Sequence, residues 1–76
     1  MKELLETIVF ALVDEKDQVV ITEEEDKDGN TVLKISAAPN DVGRIIGKNG
    51  NTITAIRKIL RAYAVKQRKR VIVDVL

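Results

Sequence analysis

Between two helical patterns the chain reads Ile46-Gly47-Lys48-Asn49-Gly50-Asn51-Thr52-Ile53. Two glycines enclose two polar residues, and a glycine lets a ligand approach the main chain closely because it has no Cβ. Lys48 adds a positive charge at the tip of the loop. The start of the following helix also favours anions, because its N–H groups are unpaired and its dipole is positive there. The segment therefore predicts a clamp for the phosphate backbone of a nucleic acid.

The two helical patterns differ in length. The first predicts a short helix over about residues 41–46, with Asn40 or Asp41 as its N-cap. Pro39 precedes it and is expected to end a strand, because proline has no N–H to donate. The second predicts a longer helix over about residues 52–67, since apolar residues recur at helical spacing. Its predicted buried stripe consists of Ile53, Ile56, Ile59 or Leu60, and Tyr63 or Ala64.

One more helix and three strands complete the pattern. Residues 2–14 carry the apolar stripe of an amphipathic helix. Residues 19–22 and 31–36 are rich in β-branched side chains, and Asp28-Gly29 between them predicts a hairpin turn. Residues 71–76 predict the last strand, which gives the order α-β-β-α-α-β.

This order predicts an α+β fold in one domain over residues 1–76. A strand that returns through two helices normally lies parallel to the first strand, with a right-handed crossover. The hairpin adds one antiparallel neighbour. The result is a three-stranded mixed sheet with all three helices packed on one face.

Charge is distributed unevenly along the chain, although the net charge is only +1. Residues 1–38 hold four lysines and ten acidic residues, whereas residues 39–76 hold nine lysines and arginines and two acidic residues. A basic half suggests an anionic partner. Attraction between two solvated faces of the same domain explains the charges equally well.

Composition argues against catalysis. The chain has no histidine and no cysteine, so the commonest general base and the strongest thiol nucleophile are absent. The segment 43–49 resembles a phosphate-binding GxxxxGK[ST] loop, but it has one residue too few between the glycines and Asn49 where Ser or Thr should hold magnesium. The acidic run 23–28 lacks the spacing of a calcium loop. We expect no enzyme activity, cofactor, metal site or small-molecule substrate.

Length and hydropathy also restrict the setting. Among 76 residues there is no run of about 18 apolar residues that would cross a membrane. The first residues, Met1-Lys2-Glu3, lack the layout of a signal peptide. A small secreted domain often needs disulfides, and this chain has no cysteine to form them. We therefore expect a cytoplasmic protein with no membrane partner.

With this loop between two helices and a strand after them, the chain resembles a type II KH domain. The segment 46–53 matches that family's pattern of a branched apolar residue, GXXG, two residues and an isoleucine. The resemblance covers essentially the whole chain. The leading helix and residues 41–47 are similar to the small stand-alone bacterial KH proteins of the KhpA type.

The resemblance implies binding of single-stranded RNA, in which the loop clamps about four nucleotides. It also implies a protein partner, either a second copy or a larger KH-containing protein of the Jag (KhpB) type. The broader role that it implies is post-transcriptional regulation or RNA chaperone activity in bacteria.

Residue roles follow from the same resemblance. The implied phosphate-contacting loop is Gly47, Lys48, Asn49 and Gly50. The implied apolar floor and wall of the groove are Ile35, Ile45, Ile46 and Ile53, and further phosphate or sugar contacts fall to Arg44 and Arg57. The acidic segment 23–28 is expected to border the groove and to repel RNA. Gly47→Asp is expected to abolish binding at little cost in stability.

Two features keep alternative interpretations open. The apolar stripes could meet another subunit through Val9, Val13, Ile59 or Tyr63, which would make the domain an interaction module with little direct RNA binding. The cluster Lys66, Arg68, Lys69 and Arg70 either extends the nucleic-acid surface or is a solvated helix end.

Overall fold

Three α-helices and three β-strands make up the computed structural model, which describes residues 1–76. The helices are α1 (Lys2–Leu12), α2 (Pro39–Ile46) and α3 (Asn51–Lys66). The strands are β1 (Val20–Glu25), β2 (Thr31–Ser36) and β3 (Val71–Val75). Single turns of 3-10 helix lie at Lys16–Gln18 and Lys48–Gly50. The predicted α+β class and the order α-β-β-α-α-β are confirmed.

The sheet is mixed, as predicted, with strand order β1-β2-β3. β1 and β2 form an antiparallel hairpin, and β3 returns parallel to β2 after the chain has passed through α2 and α3. Alternation along β2 separates two faces: Leu33 and Ile35 have no exposed surface, whereas Val32 and Lys34 are half-buried on the opposite side. One face of the sheet therefore packs against the helices, and the other faces solvent.

The core joins all three helices and all three strands in one cluster of 13 buried apolar side chains. Leu5 and Val9 from α1 and Leu60 from α3 are fully buried in it. Burial of each such side chain contributes about 1.5–3 kcal/mol. These contacts hold α3 against the sheet and so fix the position of the loop that precedes it.

β1 is longer than predicted, because it continues through the acidic residues to Glu25. Glu23, Glu24 and Glu25 pair with residues 33, 32 and 31 of β2. The ladder uses main-chain groups, and a strand at the edge of a sheet accommodates charged side chains. The prediction that β1 ends at residue 22 was therefore wrong.

The hairpin turn lies at the C-terminal end of α3. The Thr31 N–H donates to the Arg70 carbonyl at 2.9 Å, which ties the end of the turn to the α3–β3 connection. The Gly47–Gly50 loop lies at the opposite end of α3. The hairpin turn therefore lies away from this loop, and repulsion of RNA by the acidic segment 23–28 remains a prediction.

The N-terminus of α2 also differs from the prediction. Pro39 is the first helical residue and Ala38 the N-cap, so neither Asn40 nor Asp41 caps the helix. Proline suits this position because its fixed φ is helical and its missing N–H would be unpaired anyway. Asp41 is instead buried, and its carboxylate accepts hydrogen bonds from the N–H groups of Asp14 at 3.1 Å and Glu15 at 2.9 Å.

Asp41 is expected to make stability depend on pH. The Glu15 and Asp14 N–H groups lower the pKa of Asp41 from its ordinary value of 3.8, and the nearby Arg44 adds to the effect. A lowered pKa means that the contribution is fully present above pH 3.8 and is lost as the pH falls through the lower folded value. Asp41→Asn should lower the Tm at neutral pH, and the difference from wild type should shrink below about pH 4.

Thermal unfolding followed by circular dichroism across this pH range measures the effect. Asp17→Asn is the matched control, because Asp17 is exposed in the Lys16–Gln18 turn. An Asp41→Asn penalty that is the same at acidic and neutral pH would contradict this account.

Candidate nucleic-acid interface

The connection between α2 and α3 is a tight reversal with three residues at positive φ. Gly47 ends α2 with φ 77° and ψ 172°, and its N–H donates to the Gly43 carbonyl at 2.8 Å. Asn49 has φ 57° and Gly50 has φ 75°. Glycine adopts such angles freely, and asparagine tolerates the left-handed region better than most residues. The sequence Gly47-Lys48-Asn49-Gly50 therefore suits this reversal.

The two glycines have different roles. A Cβ on Gly47 would lie 2.1 Å from the Thr52 Oγ1 and 2.8 Å from the Thr52 main-chain nitrogen, so there is no room for a side chain. A Cβ on Gly50 would meet nothing within 4 Å. Gly47 is thus required by the packing, and the expectation that Gly47→Asp costs little stability was wrong. Gly50 instead leaves open space beside the main chain.

Positive charge and the N-terminus of α3 meet on the exposed side of this loop. Lys48 and Asn49 are exposed, and no side chain caps the N-terminus of α3. The Gly50 N–H donates to the Gly47 carbonyl and the Asn51 N–H to the Lys48 carbonyl, and the dipole of the 16-residue α3 is positive at this end. The loop therefore offers an accessible site for an anion such as phosphate.

Arg44 projects from α2 into an acidic environment. Its guanidinium forms an ion pair with Asp14, and it lies 3.8 Å from the Asp41 carboxylate. These contacts tie the α1–β1 connection to α2. Because two carboxylates surround this arginine, less of its positive charge is available to a phosphate, and its contact with RNA remains a prediction.

Arg57 joins α3 to the free edge of the sheet. Its Nε and Nη2 donate to the Val73 carbonyl at 3.1 and 2.9 Å. The Thr31 N–H donates to the Arg70 carbonyl, and the Leu76 N–H donates to the Ile35 carbonyl. The main-chain groups of even-numbered residues in and beside β3 therefore face β2. The odd-numbered main-chain groups of β3 therefore face the open edge, where Arg57 occupies one carbonyl and keeps further N–H donors for a ligand.

The isoleucines predicted to line the groove mostly lie beneath the surface. Ile35 and Ile45 have no exposed surface, and Ile53 is only 6% exposed. All three belong to the core that supports the loop, so a direct contact with a nucleotide would require them to move. Ile46 is half-buried and is the one of the four with apolar surface beside the loop.

Two parts of the site were not predicted. Thr52 fills the space beside Gly47, and the open edge of β3 lies next to Arg57. The signal for β3 was too indirect, because the sequence placed a strand at residues 71–76 but did not establish which of its edges is free. No local pattern identified the contact of Thr52.

Comparison with known proteins gives a consistent family. A model described as "KhpA/KhpB, KH domain" matches residues 2–75. The chain is 43% identical to RNA-binding protein KhpA of Clostridium acetobutylicum over the full length of both. It is 42% identical to RNA-binding protein KhpA of Halalkalibacterium halodurans, over 100% of this chain and 99% of that protein.

A third relative, RNA-binding protein KhpA of Caldanaerobacter subterraneus, is 41% identical over the whole of both chains. No solved structure matches the chain. None of the helices is both long enough and apolar enough to cross a membrane.

The unequal roles of the glycines predict unequal costs of replacement. Gly50→Ala should destabilise by about 1–2 kcal/mol, the cost of a left-handed residue with a Cβ. Gly47→Ala should cost about 1–3 kcal/mol for its backbone region, which is nearly restricted to glycine. The contact with Thr52 should add about 1–3 kcal/mol more. Urea unfolding measures both, and a Gly50→Ala penalty equal to that of Gly47→Ala would contradict the assigned roles.

Proposed function

The chain belongs to the KH-domain family of KhpA and KhpB, and we propose that it binds single-stranded RNA through the Gly47–Gly50 loop. The observation that carries the proposal is the exposed loop main chain, where Gly50 has open space and the N-terminus of α3 has no capping side chain. The names of the relatives, each an RNA-binding protein KhpA, support the class of ligand.

Binding begins with long-range attraction. The nine lysines and arginines of residues 39–76 draw a polyanion towards α3. Affinity falls as salt rises, because binding releases counterions from the RNA and this release is less favourable at high salt. The phosphates then lie against the main chain of the loop, where Lys48 adds charge. Since phosphates carry no base identity, this step positions RNA without selecting a sequence.

Base contacts follow beside the loop. The strand leaves the loop along the space between α3 and the edge of β3, where Arg57 and the free main-chain groups of β3 offer hydrogen bonds. Ile46 supplies apolar surface, while Ile45 and Ile53 support it from below. Few bases fit here, so one copy binds weakly and two linked copies gain affinity through effective concentration.

The proposal assigns the protein a regulatory rather than a catalytic role. A domain that holds single-stranded RNA without reacting with it acts as a post-transcriptional regulator or RNA chaperone. The setting that suits such a role is the bacterial cytoplasm, where the RNA is made. The chain supplies no histidine or cysteine for chemistry on the bound strand.

Reversal of the loop charge tests the binding site. Lys48→Asp with Asn49→Asp places two carboxylates where the proposal places phosphates. Affinity for single-stranded RNA should fall by at least about tenfold, because the contact becomes repulsive. Both residues are exposed, so the Tm should change little. Fluorescence anisotropy with a labelled twelve-nucleotide RNA measures affinity.

The matched control is Lys16→Asp with Gln18→Asp. These residues are exposed in the other single turn of 3-10 helix, and the pair changes net charge by the same amount. Equal loss of affinity in the two double variants would show a general charge effect and would refute the loop as the site.

A second candidate function is pairing with another KH domain, and it is favoured by apolar surface on α3. Ile59 is 49% exposed and Tyr63 is 39% exposed, four residues apart on one face of the helix. Val9 and Val13, the other candidates, are buried in the core. The proposed partner is a second copy or a larger KH-containing protein of the KhpB type, and RNA binding does not compete with it at the loop.

Ile59→Glu tests this pairing. A carboxylate in an apolar interface is costly to bury, so the variant should be monomeric at concentrations where the wild type self-associates. Light scattering after size exclusion measures the mass. Val20→Glu is the control, because Val20 is 56% exposed on the solvent face of the sheet. A wild type that is monomeric at every concentration, alone or with a KhpB-type protein, would refute the pairing.

A further inference from the structure

A second candidate site lies at the far end of α3 from the Gly47–Gly50 loop. A cavity of about 430 Å³ opens between the last turns of α3, the α3–β3 connection and the start of β3. Its floor is apolar, and its rim is basic. We call it the basic cavity and define it by Asn30, Arg61, Val65, Lys69, Arg70 and Val71.

Positive charge dominates the surroundings of the basic cavity. Arg61, Lys69 and Arg70 line it, and an adjoining cavity of about 630 Å³ shares Lys69 and Arg70 and adds Arg68. The one acidic residue lining either cavity is Asp28, in the hairpin turn. None of these four cations takes part in a salt bridge within the domain. The cavity is therefore complementary to an anion.

Asn30 gives the rim one oriented polar group. Its Nδ2 donates to the Asp26 carboxylate at 3.0 Å, and its own N–H donates to the same carboxylate at 2.8 Å. This fixes the amide and leaves its Oδ1 without a donor from the protein. An amide oxygen that no protein donor occupies can accept a hydrogen bond from the amino group of a nucleobase.

The connection after α3 bears a cation where glycine is usual. The Lys69 N–H donates to the Ala64 carbonyl at 2.9 Å, and the Arg68 N–H donates to the Val65 carbonyl at 3.0 Å. This pair of hydrogen bonds is common at the C-termini of helices. It requires a left-handed backbone at the position that Arg68 occupies, and glycine is favoured there. Arg68 has φ 57°. Arginine is less stable than glycine in this backbone region, but its side chain places a cation beside the cavity.

We propose that the basic cavity is a second binding site for the same RNA strand, and that it binds a nucleotide several positions away from those held by the Gly47–Gly50 loop. This inference rests on the proposed function. The apolar floor receives a base, Asn30 accepts from its amino group, and the surrounding cations contact the flanking phosphates. The footprint of the domain is therefore longer than the roughly four nucleotides of the loop site.

One row of residues on α3 runs from the loop to the basic cavity. Ile53, Arg57, Arg61 and Val65 follow at intervals of four residues along one row of α3. The row starts under the loop, passes the edge of β3 where Arg57 contacts Val73, and ends at the cavity. The row covers twelve residue steps of α3, so it spans about 18 Å at 1.5 Å per residue. A strand that enters at the loop meets positive charge along this path.

RNAs of different length distinguish the contributions of the two binding sites. Lys69→Gln with Arg70→Gln should weaken binding of a twelve-nucleotide randomised RNA by about tenfold and leave a four-nucleotide RNA unaffected. The slope of log affinity against log salt for the longer RNA should fall by about 1.4, the value for two phosphate contacts to a single strand. Comparison of variant with wild type at each length cancels the extra binding registers of the longer RNA. NMR titration suits the weak four-nucleotide complex.

The control is Lys2→Gln with Lys34→Gln, which removes the same charge from the start of α1 and from the solvent face of the sheet. A loss of affinity for the longer RNA no greater than that of this control would overturn the second binding site, as would equal weakening at both lengths. The proposed function fails separately, if Lys48→Asp with Asn49→Asp leaves both lengths bound as in wild type.

Arg68→Gly keeps the test independent of any damage to the fold. Glycine relieves the left-handed backbone, so the Tm should rise while affinity for the twelve-nucleotide RNA falls and affinity for the four-nucleotide RNA stays the same. If Arg68 had only a structural role, its replacement would not weaken RNA binding in a more stable protein. Unchanged affinity for the longer RNA would therefore overturn the contribution of Arg68 to the second binding site.

Discussion

The structure depends on the close contact between the Gly47 main chain and Thr52. α2 and α3 can meet at this short reversal only because Gly47 has no Cβ and adopts a backbone region that other residues avoid. The contact brings the N-terminus of α3 to the surface beside an open Gly50. The site for an anion is therefore a consequence of how two helices are joined rather than of one binding side chain.

The cations of the chain divide between holding this arrangement and remaining available to a ligand. Arg44 is engaged by Asp14 and Asp41, and Arg57 is engaged by the Val73 carbonyl, so both brace the elements around the loop. Lys48 and the cluster after α3 are exposed and make no salt bridge within the domain. Net charge alone would not reveal this division, because it counts both groups alike.

Local patterns predicted most of the fold and located the loop, but they failed where a distant segment decided the outcome. β1 extends through three glutamates because β2 offers partners for their main chain, which outweighs the poor strand propensity of the side chains. Asp41 had the local signature of an N-cap, yet its carboxylate bonds to the α1–β1 connection, and Pro39 already starts the helix. The burial of Ile53 agrees with the helical stripe predicted for α3, whereas the burial of Ile45 follows from packing.

The sequence by itself determined the order of elements, the mixed sheet and the Gly47–Gly50 loop between two helices, because these follow from periodicity, turn chemistry and chain connectivity. Only the tertiary structure decided which glycine is sterically required, which arginines are engaged, and that the acidic hairpin lies beside the basic end of α3. Such facts depend on distances between residues far apart in the chain, and no local pattern encodes those distances.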